Sequence, residues 1–243
     1  MTSMTKRTSL AMLKSQEWET VGGFSETTKM PWLSWSISAH RCQTGSKLVD
    51  VEGSTCSGCY ALSGNYRYSN VQAALERRYS TLEDLTSWVE RMVSALIERA
   101  SRFVPTDVDS SGPAFRWHDS GDLQSPEHLA AICQVAERTQ SAALADGTIG
   151  QIRHWLPTRE YGFVQKFLKD GGTIPSNLCV RLSAHMINGP VPSRIGLPVS
   201  SVHTDESAYP DAAICPAYRQ DGRCGSCRTC WDGSVRHVIY PKH

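Results

Sequence analysis

The chain carries almost no net charge, +1 over 243 residues at pH 7. No global basic field therefore draws it to nucleic acid, although a local patch is compatible with such a balance. It also lacks any apolar run of membrane-spanning length. The opening "MTSMTKRTSLAMLKSQEWET" offers only Leu10 to Leu13 as an apolar stretch, too short for the hydrophobic region of a secretion signal. No internal repeat or long low-complexity tract is present. These absences predict a cytosolic globular protein with no membrane partner. Its 40% hydrophobic and 20% charged residues are enough to bury a full core.

Cysteine is not scarce. Seven of the nine cysteines fall in two clusters, Cys42, Cys56 and Cys59 near one end and Cys215, Cys224, Cys227 and Cys230 near the other. In a reducing compartment such clusters bind metal or do chemistry more often than they form disulfides. Cys133 and Cys179 are expected to be small core residues.

Between the clusters, strands and helices alternate. From Val71 to Ala100 the apolar residues Leu82, Leu85, Val89, Met92, Val93, Leu96 and Ile97 follow helical spacing, which predicts one long helix or two joined ones. Arg77, Arg78 and Glu76 would form a solvated face of it. "AFRWHDSGDLQSPEHLAAICQVAERT" reads as strand, loop and helix, with Ser125 as N-cap and Pro126 at the first helical position. The pattern repeats with a strand over Ile152 to Leu156 and a helix over Tyr161 to Lys169 that Gly171 and Gly172 end. "WLSWSISAH", "NLCVRLSAHM" and "PVSSVHT" supply further strands. Alternation of this kind predicts an α/β fold with a parallel sheet, taken here as a (β/α) barrel, closed or incomplete, with a C-terminal cysteine-cluster tail. The expected organisation is an N-terminal extension over residues 1–30, the barrel domain over 31–212, and the four-cysteine segment over 213–243.

Each strand candidate ends in polar residues: His40; His118, Asp119 and Asp122; Thr158, Arg159 and Glu160; Ser183 and His185. Strand ends of a parallel sheet lie on one face, where that architecture binds its ligands, so one shared pocket is predicted. His118, Asp119, Asp122 and Arg159 are the catalytic candidates. The two aspartates either cap turn amides or bind the hydroxyls or amino group of a nucleoside-like ligand. His118 suits acid or base work, and Arg159 either binds a carboxylate or phosphate or pairs with Glu160. Thr158, Glu160, Arg181 and Ser183 are the cofactor-binding candidates. A charge such as Arg181 within a parallel strand must be paired or face a polar cavity. Trp117 and Trp155 read as core or pocket wall.

The C-x2-C-x2-C run of Cys224, Cys227 and Cys230, completed by Cys215, suits an iron-sulfur cluster or a structural zinc, with Gly225 favouring a tight turn. Cys42, Cys56 and Cys59 offer only three thiols. On a four-iron cluster three thiolates leave one iron open to a small molecule; alternatively, His40 completes a zinc site.

"SISAHRC", "CSGCYAL", "FRWHDSGDLQS", "HWLPTRE" and "CGSCRTCW" resemble the phage gene product 88 family over residues 36 to 240. More distantly, "CSGCYA" followed by the strand ends is similar to radical S-adenosylmethionine barrel proteins, which carry three cluster-binding cysteines in the loop after the first strand. Here the spacing is C-x13-C-x2-C rather than the usual C-x3-C-x2-C, with Gly58 before the last cysteine. The resemblance implies two 4Fe-4S clusters, S-adenosylmethionine as cofactor, an electron donor, and a small-molecule or macromolecular substrate in the host cytoplasm. The competing expectation is a non-enzymatic, zinc-stapled phage protein that binds host nucleic acid or protein. Protein purified without oxygen is expected to be brown, with broad visible absorption and acid-labile sulfide. Stoichiometric zinc with no iron would favour the zinc-stapled protein.

Overall fold

A computed structural model of the chain describes residues 20–242. Residues 1–19 of the expected extension lie outside the described residues. The remainder of that segment packs onto the body, with Val21 and Phe24 in the main core. Arg78, expected on a solvated helix face, is instead 5% exposed. Its guanidinium donates to the Gly23 carbonyl at 2.9 Å and the Ser25 hydroxyl at 3.0 Å. Gly22, at φ +74°, passes so close that a Cβ there would meet the Arg78 Cγ at 2.6 Å.

In chain order the elements are β1 (Ser34–Trp35), α1 (Thr44–Leu48), α2 (Ser69–Ser80), α3 (Leu85–Ala100), β2 (Ala114–Trp117), α4 (Pro126–Arg138), β3 (Ala142–Ala143), β4 (Ile149–Gly150), β5 (Arg153–Thr158), α5 (Tyr161–Lys169), β6 (Leu178–Ser183), β7 (Val199–His203), β8 (Ala213–Ile214) and β9 (His237–Pro241). The apolar stretch over 71–100 is two helices. Asp84 separates them by accepting the Ser87 amide at 3.1 Å, an N-cap that starts α3 afresh. Ser125 caps α4 through the His128 amide, also at 3.1 Å. After α5, Gly171 takes φ +85° and the Gly172 amide bonds the Phe167 carbonyl at 2.9 Å.

Seven strands form one parallel sheet in the order β1-β2-β5-β6-β7-β9-β8, while β3 and β4 make a separate antiparallel pair. Strand alternation gives the sheet two different faces. Phe115, Trp117, Leu156, Val180 and Leu182 join α3, α4 and α5 in the main core. Trp35, Trp88 and Trp117 meet edge-on or tilted within that layer, at centroid distances of 5.4 to 6.2 Å. The opposite face presents Ala114, Trp155 and Tyr240 to Trp231, Cys224 and Cys230 of the C-terminal segment.

That segment is no appended tail, because it supplies β8 and β9, and β9 is inserted between β7 and β8. The tie between segment and sheet is Arg181, which is 0% exposed. One of its terminal nitrogens donates to the carbonyls of Val199 and Val235, both at 3.0 Å. The other donates to Thr229 and Asp232 at 3.2 and 3.1 Å and lies 3.6 Å from the Cys179 sulfur. Backbone carbonyls thus take both terminal nitrogens of the mid-strand charge, while its Nε has no partner among the described residues. Replacing it by Met leaves buried acceptors without donors. Arg181→Met is expected to lower unfolding free energy by about 3 kcal/mol or more and to expose Trp231, read by urea denaturation and tryptophan fluorescence.

Candidate functional site

A cavity of about 970 Å³ opens where β2, β5 and β6 end. Its wall includes Cys42, Cys56 and Cys59, and also His118, Asp119, Asp122, Arg159 and Ser183. The pocket expected from the strand ends is therefore present, and the three-thiol loop after β1 forms part of it.

The loop is held in place from the end of β5. Glu160, 5% exposed, accepts the backbone amides of Gln43 and Thr44 at 3.2 and 2.7 Å and the Thr44 hydroxyl at 2.7 Å. A carboxylate at the start of α1 thus fixes the chain beside Cys42. Arg159 donates its Nε to the Thr55 hydroxyl at 2.9 Å, next to Cys56. The Thr55 amide in turn bonds the His185 carbonyl at 2.8 Å. Ser54 completes the loop by accepting the Cys56 and Ser57 amides at 3.2 and 2.9 Å. Arg159 and Glu160 consequently form no ion pair with each other among the described residues; each holds one half of the loop.

Thr158 and Glu160, expected to contact a cofactor, stand behind the cavity wall. Thr158 donates to the Asp122 carboxylate at 2.6 Å, and the Arg159 amide bonds its second oxygen at 2.9 Å. Arg181 lies under the C-terminal segment, as described above. His40 also lines the cavity, but among the described residues no hydrogen bond joins its side chain to the thiols. His185 stacks on Tyr161 at 4.3 Å and bonds the Arg159 carbonyl at 3.1 Å.

Burial, with the nearby Asp122 charge next in weight, pushes the Cys42 thiol well up, and burial likewise raises Cys56. Arg159 opposes the rise at Cys56. The three thiols are close enough for their charges to act on one another. A Cβ added at Gly45 would lie 3.6 Å from both the Cys42 and Cys56 sulfurs, so the missing side chain leaves a cradle between them. Such thiols ionise readily only when a cation arrives, which fits a metal or iron-sulfur group.

The C-terminal thiols show the same coupling: Cys224 senses Cys215 and Cys227, and Cys230 senses Cys215 and Cys224. Burial pushes Cys230 up to about 12, and its sulfur lies 3.2 Å from the Tyr240 hydroxyl. Gly225 takes φ +54° in the turn between Cys224 and Cys227. Asp109 fixes that turn from outside through Arg228, with Nε at 2.8 Å and a terminal nitrogen at 2.5 Å, and is shared with Arg153. Among the described residues, no three His, Cys, Asp or Glu side chains are gathered tightly enough to hold one metal ion.

His118 is the most unusual residue of the wall. It is 4% exposed, has φ +52°, and neither ring nitrogen has a hydrogen-bond partner among the described residues. Trp35 and His128 meet its ring edge-on at 5.9 and 5.5 Å. Burial, then the charge of His128, holds its pKa well below 6.5, so the imidazole is neutral at pH 7. A non-glycine residue in this backbone region is strained, and strain of this kind concentrates at functional sites.

Sequence reading missed Arg116, Tyr60 and Tyr66, which also line the cavity. Arg116 was readable in principle, being a charge inside the strand "AFRW" whose neighbours Phe115 and Trp117 face the other way.

Fold and site together define a parallel α/β protein with a thiol-walled cavity at its strand ends. The chain belongs to the Gene product 88 family, a family of phage proteins, whose model matches residues 6–233. No curated protein and no solved structure matches it.

Asp122 is 6% exposed, and burial raises its pKa from 3.8 to about 6 against the hydrogen bonds from Thr158 and Arg159. The folded state then holds a proton that the unfolded chain releases between those values. The resulting stability is full below about pH 4 and lost as pH rises through about 6. Relative to Asp122→Asn, the parent is expected to lose on the order of 3 kcal/mol across that window. Urea denaturation of both proteins at several pH values measures it, and parallel curves would return Asp122 to an ordinary carboxylate.

Proposed function

We propose that the chain is an iron-sulfur enzyme of the radical S-adenosylmethionine type, built on a partial (β/α) barrel. The observation that supports this most is the sharing of one cavity by Cys42, Cys56 and Cys59 with His118, Asp119, Asp122 and Arg159. The strand order from β1 through β7 never reverses, as in a barrel that adds each strand at the same edge. On this reading Cys42, Cys56 and Cys59 hold a four-iron cluster, and Cys215, Cys224, Cys227 and Cys230 hold a second. When bound and reduced, the first supplies the electron that splits S-adenosylmethionine into methionine and a 5′-deoxyadenosyl radical.

The chain's own residues do the rest. Glu160 and Thr55 keep the three-thiol loop at a fixed height over the strand ends. Asp122, held by Thr158 and the Arg159 amide, offers an acceptor for a ribose hydroxyl or an amino group. His118, neutral and without a partner, can donate or accept one hydrogen bond inside the cavity. The apolar wall around it limits water, which would otherwise quench a reactive species.

The test is release of 5′-deoxyadenosine from S-adenosylmethionine under dithionite, together with iron counts. Cys59→Ala is expected to abolish release and lose about half the iron. Cys227→Ala is expected to lose the other half and to lower stability, because its thiol set ties down the segment that carries β9. An iron-loaded parent that releases no 5′-deoxyadenosine refutes radical chemistry. Loss of all iron from either variant, with the fold intact, refutes two independent clusters.

A further inference from the structure

Two opposite charges face the cavity and do not meet. Arg116 is held flat, its guanidinium carbon 4.7 Å from the centre of the Trp155 ring and one terminal nitrogen 3.6 Å from the Met30 sulfur. Asp119 is held separately: its amide donates to the Ser36 hydroxyl at 3.0 Å, and one carboxylate oxygen accepts the Tyr66 hydroxyl at 2.9 Å. The Tyr60 hydroxyl donates to the Asp119 carbonyl. Both charged residues line the cavity and are near enough for their charges to interact. No ion pair joins them among the described residues. The Arg116 Nε and the other Asp119 oxygen are buried with no hydrogen-bond partner there.

An unpaired buried donor or acceptor costs about 1 to 3 kcal/mol, and more when charged. Two such groups of opposite sign would relieve one another by pairing. Trp155 and Met30 hold the one, Tyr66 holds the other, and the Tyr60 hydroxyl, which interacts with Arg116 and bonds the Asp119 carbonyl, stands beside both, so they stay apart. What fits between is a molecule that carries both charges itself.

We infer that this end of the cavity is a subsite for a zwitterionic substrate of the α-amino acid class, with Arg116 taking the carboxylate and Asp119 the ammonium group. Arg116 is suited to the task because its planar fork matches a carboxylate with two parallel hydrogen bonds. The inference rests on the proposed function only in naming the occupant a substrate; its binding needs neither reductant nor radical.

The probes are L-norvaline, pentanoate, which lacks the amine, and butylamine, which lacks the carboxylate. Each is titrated calorimetrically into anaerobic, iron-loaded protein without dithionite. Norvaline is expected to bind about ten-fold or more tightly than either of the others. Arg116→Met is expected to weaken norvaline and pentanoate by a similar factor and spare butylamine. Asp119→Asn is expected to weaken norvaline and butylamine and spare pentanoate. If Arg116→Met does not fold, the ranking on the parent and the Asp119→Asn pattern decide the matter.

Equal affinity for the three probes, or no binding, overturns the inference, even where 5′-deoxyadenosine is released. Displacement of norvaline by S-adenosylmethionine also overturns it, since the subsite would then belong to the cofactor's own amino acid moiety. Simultaneous binding of the two supports it. Norvaline binding with no 5′-deoxyadenosine release would leave the subsite standing and refute only the radical reading.

Discussion

The carboxylate of Glu160, bonded to two amides and a hydroxyl just beyond Cys42, is the contact on which the site depends. It joins residues 117 apart in the chain and brings the loop after β1 to the end of β5. Charge-assisted bonds to backbone amides are stronger than neutral ones, and burial strengthens them further. Once that corner is fixed, Arg159 can reach Thr55, Thr158 can reach Asp122, and the three thiols come to share a wall with the strand-end carboxylates. One tripeptide, Thr158 to Glu160, therefore sets the cavity's shape without presenting two of its three side chains to it.

The two faces of the sheet serve different ends. Against the helices, Trp35, Trp88 and Trp117 make a layer with little room for movement, and this rigidity can sustain a residue such as His118 at positive φ. On the other face, charge and sulfur replace hydrocarbon. Arg181 spends both terminal nitrogens on backbone carbonyls of β7 and the C-terminal segment, while Arg116 lies on Trp155 in the cavity wall. The difference between these two arginines, each in the middle of a parallel strand, is the difference between a structural tie and a binding group.

Much of the local structure was legible in the sequence because short-range physics decides it. Ser125 and Pro126 start a helix by satisfying or lacking the amides that a helix start leaves free, and Gly171 ends one by taking a left-handed conformation. The strands ending at Thr158 and Ser183 were visible as β-prone runs followed by polar residues. Arg78 was misread because helical spacing places it beside Arg77 on a polar face. Its burial comes from residues 22–25, whose path no local pattern reveals. The last strand was missed for a related reason: "HVIYP" has strand character, but its place between β7 and β8 depends on pairings such as Val199 with His237 and Ala213 with Val238, far apart in the chain.

The sequence by itself determined the alternation of strands and helices, the parallel sheet that follows from it, and the grouping of seven cysteines into two sets. These depend on side-chain periodicity and spacing, which act over a few residues. Only the tertiary structure decided that Arg181 is a tie and Arg116 faces the cavity, that Glu160 braces a loop rather than touching its contents, and that the C-terminal segment is part of the sheet. A charged side chain buried in a fold takes whichever partners desolvation leaves within reach. In this protein those partners come from distant parts of the chain.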